Sequence, residues 1–174
     1  MSEAIAAWIQ FEERTCRAWN RLSAIRVFRA LFGAASRLGN GVFWYVLMGV
    51  LSVVDGAVGR ETAIRMAAVG LTCTLVYKGV KLSIRRPRPL VVLSGLRTDV
   101  APLDQFSFPS GHTMHACAFT VVACASYPLM AWALVPFTVI VALSRVVLGL
   151  HYASDVAAGA LLGSALAYAS LGIA

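Results

Sequence analysis

Five long apolar runs constrain this chain more than any other feature: 41–58, 62–80, 110–128, 129–148 and 152 to the C-terminus. A helix needs about 20 consecutive, mostly apolar residues to cross a bilayer, and each run approaches that length. The third is slightly short, so its entry would sit in the headgroup zone. Charged residues make up 13% of the chain, against roughly 25% in soluble domains. The expected fold is therefore an all-α integral membrane bundle of about five transmembrane helices. Phe43, Trp44 and Tyr45 open the first run, where aromatic residues favour the interface. Asp55 lies near its other end and receives no function. Arg65 and Lys78 lie close enough to the ends of the second run to reach water. The last run is rich in small residues, including Ala157, Gly159, Gly163 and Ala165, which suits close helix packing in lipid.

Residues 1–40 are mixed. Leu22, Ile25, Phe28 and Phe32 recur at helical steps, although Arg26 and Arg29 interrupt that face. This segment is expected to be an interfacial helix lying on the membrane. The chain reads as a single domain, 1–174, with 1–40 as the interfacial segment and 41–174 as the transmembrane bundle. Its start, Ser2-Glu3 followed by mixed sequence, does not resemble a secretory signal, so insertion is expected to rest on the spans. The net charge of +7 is concentrated in the first 40 residues and between Lys81 and Arg97, without interleaved aromatics. That pattern suits membrane lipids and anionic substrates rather than nucleic acid. Cys16, Cys73, Cys117 and Cys124 form no CxxC pair and read as small buried residues, not as a metal site.

The segment 81–109, rich in proline and charge, is a loop rather than a span. Alternating spans bring its ends, the start of the third run and the junction of the fourth and fifth to one side of the bilayer. The polar residues that membrane helices avoid thus gather there: Lys81, Arg88, Ser110, His112, Ser144, Arg145, His151 and Asp155. Three cations can surround the oxygens of a phosphate, arginine with a fork of donors and lysine as a point charge. Ser110-Gly111-His112 opens a helix, where free backbone N–H groups bind anions. His151 and Asp155 stand four apart on one helix face, so the carboxylate can accept from one ring nitrogen and leave the other as a nucleophile. His112 can protonate a leaving oxygen. His115, one turn deeper, reads as a packing or substrate-lining residue.

These residues resemble the type 2 phosphatidic acid phosphatase family, which shares its site with the vanadium haloperoxidases. The first part of the family pattern, Lys, six residues, Arg-Pro, is intact from Lys81 to Arg88-Pro89. The second is Pro109-Ser110-Gly111-His112. The third runs from Ser144-Arg145 through His151 to Asp155. The resemblance implies that Lys81, Arg88 and Arg145 hold phosphate, with Ser110 and Gly111 adding donors. It implies His151 as the nucleophile forming a phosphohistidine, His112 as acid, and Asp155 as the group orienting His151. It also implies no metal and no cofactor.

The expected function is therefore a metal-independent lipid phosphatase, a multi-pass protein of the cell membrane. A polyprenyl phosphate or pyrophosphate ranks first among substrates, before phosphatidylglycerophosphate, phosphatidic acid and lipid A. The alternatives are a lipid phosphotransferase using the same phosphohistidine, and a non-catalytic membrane protein with a relic site. A haloperoxidase is disfavoured by the apolar spans. Sidedness stays open: arginines at 14, 17, 21, 26, 29 and 37 favour a cytoplasmic site, whereas relatives commonly face outward. Oligomeric state is not legible.

Overall fold

The computed structural model describes residues 3–172 as a helical bundle. Helices α1 (Glu3–Asn20) and α2 (Arg26–Leu38) are followed by α3 (Val42–Val54) and the long α4 (Gly56–Ile84). A single turn, α5 (Pro89–Val92), precedes α6 (Gly111–Ser126), α7 (Ala131–Val147) and α8 (Ala153–Leu171). Among the described residues the one extended pairing is an isolated bridge between Pro87 and Phe106.

Three helices are long and apolar enough to cross a membrane alone: α4, α7 with its preceding turn (Pro128–Val147), and α8. Helices α2 and α3 meet at a bend of 53° and count as a fourth if they form one span. At 29 residues α4 is about 44 Å long, well beyond a ~30 Å hydrocarbon core, and Lys81 lies in its last turn. The 16 residues of α6 reach only about 24 Å, and it is instead the centre of the bundle. Its Met114, Ala116, Phe119 and Val122 join Trp44, Met66, Cys73 and Val141 in the main core. The first expected span ends early, at Val54, because Asp55 and Gly56 turn the chain into α4. Outside, Ile64, Leu71 and Leu75 of α4, Trp132 of α7 and Leu161 of α8 stay exposed. Such a surface suits lipid rather than water.

The small residues of α8 set the bundle's geometry. A Cβ on Gly159 would lie 2.5 Å from the Ser110 carbonyl oxygen, and one on Gly163 would lie 2.1 Å from that of Met114. Only glycine lets α8 approach α6 this closely. The start of α6, which bears His112, is thereby pressed against the start of α8, which bears Asp155.

The N-terminal segment 1–40, expected as an interfacial helix, is two helices rather than one. A 3-10 turn at Arg21–Ala24 separates two helices, so Leu22 and Phe32 do not share one helix face. Helix α1 is also turned opposite to a soluble helix. Glu12, Cys16 and Asn20 face inward and are buried, while Ile5, Trp8, Phe11 and Trp19 point outward. Asn20 donates to the carbonyls of Arg97 (2.9 Å) and Val147 (2.8 Å), fastening α1 to both loops around the polar end of the bundle.

Candidate active site

A cavity of about 930 Å³ opens at that polar end. Lys81, Arg88, Gly111, His112 and His151 line its polar part, and Trp44, Met48, Leu71 and Phe119 line its apolar part. Ser110, Arg145 and Asp155 lie buried beside it. The helix starts and loop ends predicted to converge do so. Ser144 does not join them: its hydroxyl donates at 2.6 Å to the Val141 carbonyl within its own helix.

Lys81 directs all three of its donors at the loop 93–110: two to the Asp104 carboxylate, at 2.7 and 2.8 Å, and one to the Phe106 carbonyl at 3.0 Å. Arg88 donates to the Asp104 carboxylate through Nη2 (2.8 Å), to the Asp104 carbonyl through Nε (2.9 Å) and to the Leu150 carbonyl through Nη1 (2.8 Å). The Asp104 carboxylate thus sits between Lys81 and Arg88 and engages both. Burial pushes its carboxyl upward, but the hydrogen bonds from Lys81 and Arg88 outweigh that and hold it below the usual carboxylate value. Arg145 is 1% exposed, donates to Ser36 and leaves its Nε without a partner. A buried unpaired guanidinium donor is costly, and an incoming oxyanion would satisfy it.

The histidines differ in their surroundings. Arg88 Nη1 also lies 3.0 Å from His151 Nε2. Arginine only donates, so Nε2 carries the lone pair and the ring proton sits on Nδ1. Burial, and then the positive charges of Arg145, Arg88 and Lys81, hold the imidazole well below its usual value, so it is neutral. His151 Nδ1 faces Asp155 Oδ2 at 3.6 Å, longer than the expected hydrogen bond. The reason is local: Oδ2 accepts the Tyr152 backbone N–H at 2.9 Å as part of the cap of α8. Asp155 Oδ1 accepts from Arg86 at 2.8 Å. His112 Nε2 meets Asn40 Oδ1, an acceptor, which places the ring proton on Nε2. Ser110 pairs its hydroxyl with Thr113 (3.0 Å) and its N–H with the Asp155 carbonyl (2.9 Å). His115 lines the cavity with Nδ1 2.8 Å from the Gly111 carbonyl and Nε2 3.0 Å from that of Gly70. Asp55 accepts from the Tyr127 hydroxyl at 2.6 Å.

A family model described as the PAP2 superfamily matches residues 62–173. This chain belongs to the PAP2 superfamily. Phosphatidylglycerophosphatase B of Bacillus subtilis (strain 168) is 37% identical in an alignment of 149 residues that covers 72% of this chain and 59% of that protein. The PAP2 chain therefore spans less than two thirds of the curated relative it matches. A transmembrane PAP2 type phosphatidylglycerolphosphate phosphatase from Bacillus subtilis superposes with a TM-score of 0.74 at 26% identity, covering 99% of this chain and 87% of that one. Aquifex aeolicus LpxE has a TM-score of 0.77 at 23% identity over 90% and 93%, and bears on the fold alone. Four polar residues around the PAP2 motifs escaped sequence reasoning: Ser36, Asn40, Arg86 and Asp104. Arg86 lies inside the first motif at a position the pattern leaves free. Asn40 sits in a Gly-Asn-Gly turn with no periodic signal, and Asp104 is one charge among several in its loop.

Proposed function

We propose that this PAP2 chain is a lipid phosphatase of the cell membrane acting through a phosphohistidine on His151. The observation that carries the reading is the neutral His151 imidazole, with its lone pair on the nitrogen that faces the cationic cluster. The substrate phosphate replaces the Asp104 carboxylate on Lys81 and Arg88 and takes the free donor of Arg145. His151 Nε2 attacks phosphorus as the bond from phosphorus to the lipid oxygen breaks; that oxygen takes the Nε2 proton of His112, which enters this step as imidazolium beside the bound phosphate dianion and leaves it as neutral imidazole. Water then gives a proton back to His112 and attacks the phosphohistidine, releasing inorganic phosphate and restoring both rings. Three side-chain cations supply the charge stabilisation, so turnover is expected to survive a chelator.

The apolar part of the cavity, with Trp44, Met48, Leu71 and Phe119, favours a lipid over a soluble phosphate ester. We place phosphatidylglycerophosphate first, on the strength of the 37% identical relative, and the polyprenyl phosphates second. The test is phosphate release by the purified protein across a lipid panel, with a matched His151→Ala variant. The wild type is expected to release phosphate, to be inhibited by vanadate and to yield an acid-labile labelled enzyme. The variant is expected to insert normally and lose turnover. Undiminished turnover in the variant would refute the nucleophile. Transfer of label to an acceptor lipid instead of water would make the chain a phosphotransferase.

A further inference from the structure

Glu12 is 2% exposed on a helix whose outward face is apolar. One carboxylate oxygen binds Arg86 Nη2 and the other accepts the Ser154 backbone N–H at 3.2 Å. The second arm of Arg86 reaches Asp155 at 2.8 Å and the Ser154 hydroxyl at 2.7 Å, and its guanidinium stacks 4.1 Å from the Tyr152 ring. An unbroken chain of ionic contacts thus runs from α1 through Arg86 to the carboxylate beside His151. Neither the PAP2 motifs nor the match over 62–173 includes Glu12.

Asp155 is fully buried, and a buried carboxylate keeps its charge only beside a compensating cation. Arg86 is the one cation bound to it among the described residues. Arg88 meets the other ring nitrogen of His151, and Lys81 and Arg88 are turned to Asp104 and Arg145 to Ser36. Arg86 alone would be a long, rotatable side chain, 25% exposed. Glu12 holds its second arm, so that the first can point only at Asp155 and Ser154. Cys16, one turn beyond Glu12 on α1, the Tyr152 hydroxyl, and the charged Glu13 and Arg17 of α1 also lie near this chain of contacts.

We propose that Glu12 and Arg86 are positioning residues for the nucleophile. They hold Asp155 ionised and aimed at the Nδ1 proton of His151, and through Glu12 helix α1 becomes part of the catalytic apparatus. This rests on His151 being the nucleophile. The outward Trp8 and Phe11 suit the same helix to a lipid interface.

The experiment uses the full chain in vesicles, with Glu12→Gln, Arg86→Gln and the charge-conserving Arg86→Lys. Removing a residue that orients a reacting group costs about 10- to 100-fold where this has been measured at metal sites, and we expect a fall in kcat in that range for the two Gln variants. The KM and the inhibition constant of vanadate should stay within about twofold, because the cations that bind phosphate are untouched. Arg86→Lys should recover part of kcat, and the acid limb of the kcat profile should move in both Gln variants. A purely structural Glu12 would instead lower thermal stability and the amount of active enzyme while leaving that limb in place. That outcome, or folded variants with kcat within twofold of wild type, overturns the proposal. If Glu12→Gln does not fold, Arg86→Lys against Arg86→Gln carries the same comparison. His151→Ala run in parallel separates the two readings: turnover there removes the nucleophile, whereas a dead His151→Ala beside an undiminished Glu12→Gln removes only the positioning role.

Discussion

Asp104→Asn is the most informative single substitution, because in the proposed mechanism the substrate phosphate claims the donors that Asp104 holds. The carboxylate makes close ion pairs with Lys81 (2.7 Å) and Arg88 (2.8 Å), and Lys81 has no donor left for a second anion. Its side chain is 37% exposed, so the scale for solvent-screened pairs applies rather than that for buried ones. Two such pairs at about 0.5–1 kcal/mol each amount to about 1–2 kcal/mol that a phosphate must displace. That corresponds to an affinity gain of about 5- to 30-fold when the carboxylate becomes an uncharged amide. The assay is inhibition by vanadate, a phosphate-like anion that reads binding without turnover, together with KM for the lipid substrate. Both constants should fall in the variant. The sign of the pH dependence follows from the depressed carboxyl of Asp104. Its ion pairs are complete above the ordinary carboxylate value and are lost only as pH falls through the lower, folded-state value. The ratio of wild-type to variant inhibition constants should therefore be flat from about pH 6 to about pH 8, since ordinary carboxylates titrate near 4. An inhibition constant that rises in Asp104→Asn would refute the competition. It would mean that Asp104 aligns Lys81 and Arg88 for the substrate instead of obstructing it.

Two further outcomes follow from the packing and from His151. Gly163→Ala forces a Cβ to within 2.1 Å of the Met114 carbonyl oxygen, so α8 has to move away from α6; we expect a loss of about 1–3 kcal/mol in a melting experiment, with loss of phosphatase activity because His112 and Asp155 separate. His151 is held neutral in the folded state, so its contribution to stability is complete above the ordinary imidazole value of about 6.5 and is lost as pH falls below it, when the unfolded chain takes up the proton first. Melting temperature measured from about pH 7.5 down to about pH 5 should therefore drop more steeply for the wild type than for His151→Ala.

The membrane bundle and the motif-bearing half of the site were legible in the chain because both are encoded locally. An apolar run declares a span by its length, and His151 and Asp155 share a helix face by being four apart. The three motif parts sit at helix ends, so the alternating directions of α4, α6, α7 and α8 bring Lys81, His112, Arg145 and His151 to one end of the bundle. What the fold alone decided is which polar group meets which cation across the chain. Lys81 finds Asp104 23 residues away, His112 finds Asn40 72 away, Arg86 finds Glu12 74 away and Arg145 finds Ser36 109 away. No periodicity links such pairs; they exist only once the distant helices and loops have packed together. The same holds for α1. Its sequence carries a polar stripe and an apolar stripe, but which one faces inward depends on what lies on either side. Here the protein offers Arg86 and the carbonyls of Arg97 and Val147, while the outside is suited to lipid, so the polar stripe turns in. The sequence by itself thus determined a membrane helix bundle carrying a phosphate-handling motif. The tertiary structure decided that Asp104 lies between Lys81 and Arg88 and that Glu12 connects through Arg86 to Asp155, because only three-dimensional closure brings such distant charges close enough to neutralise one another.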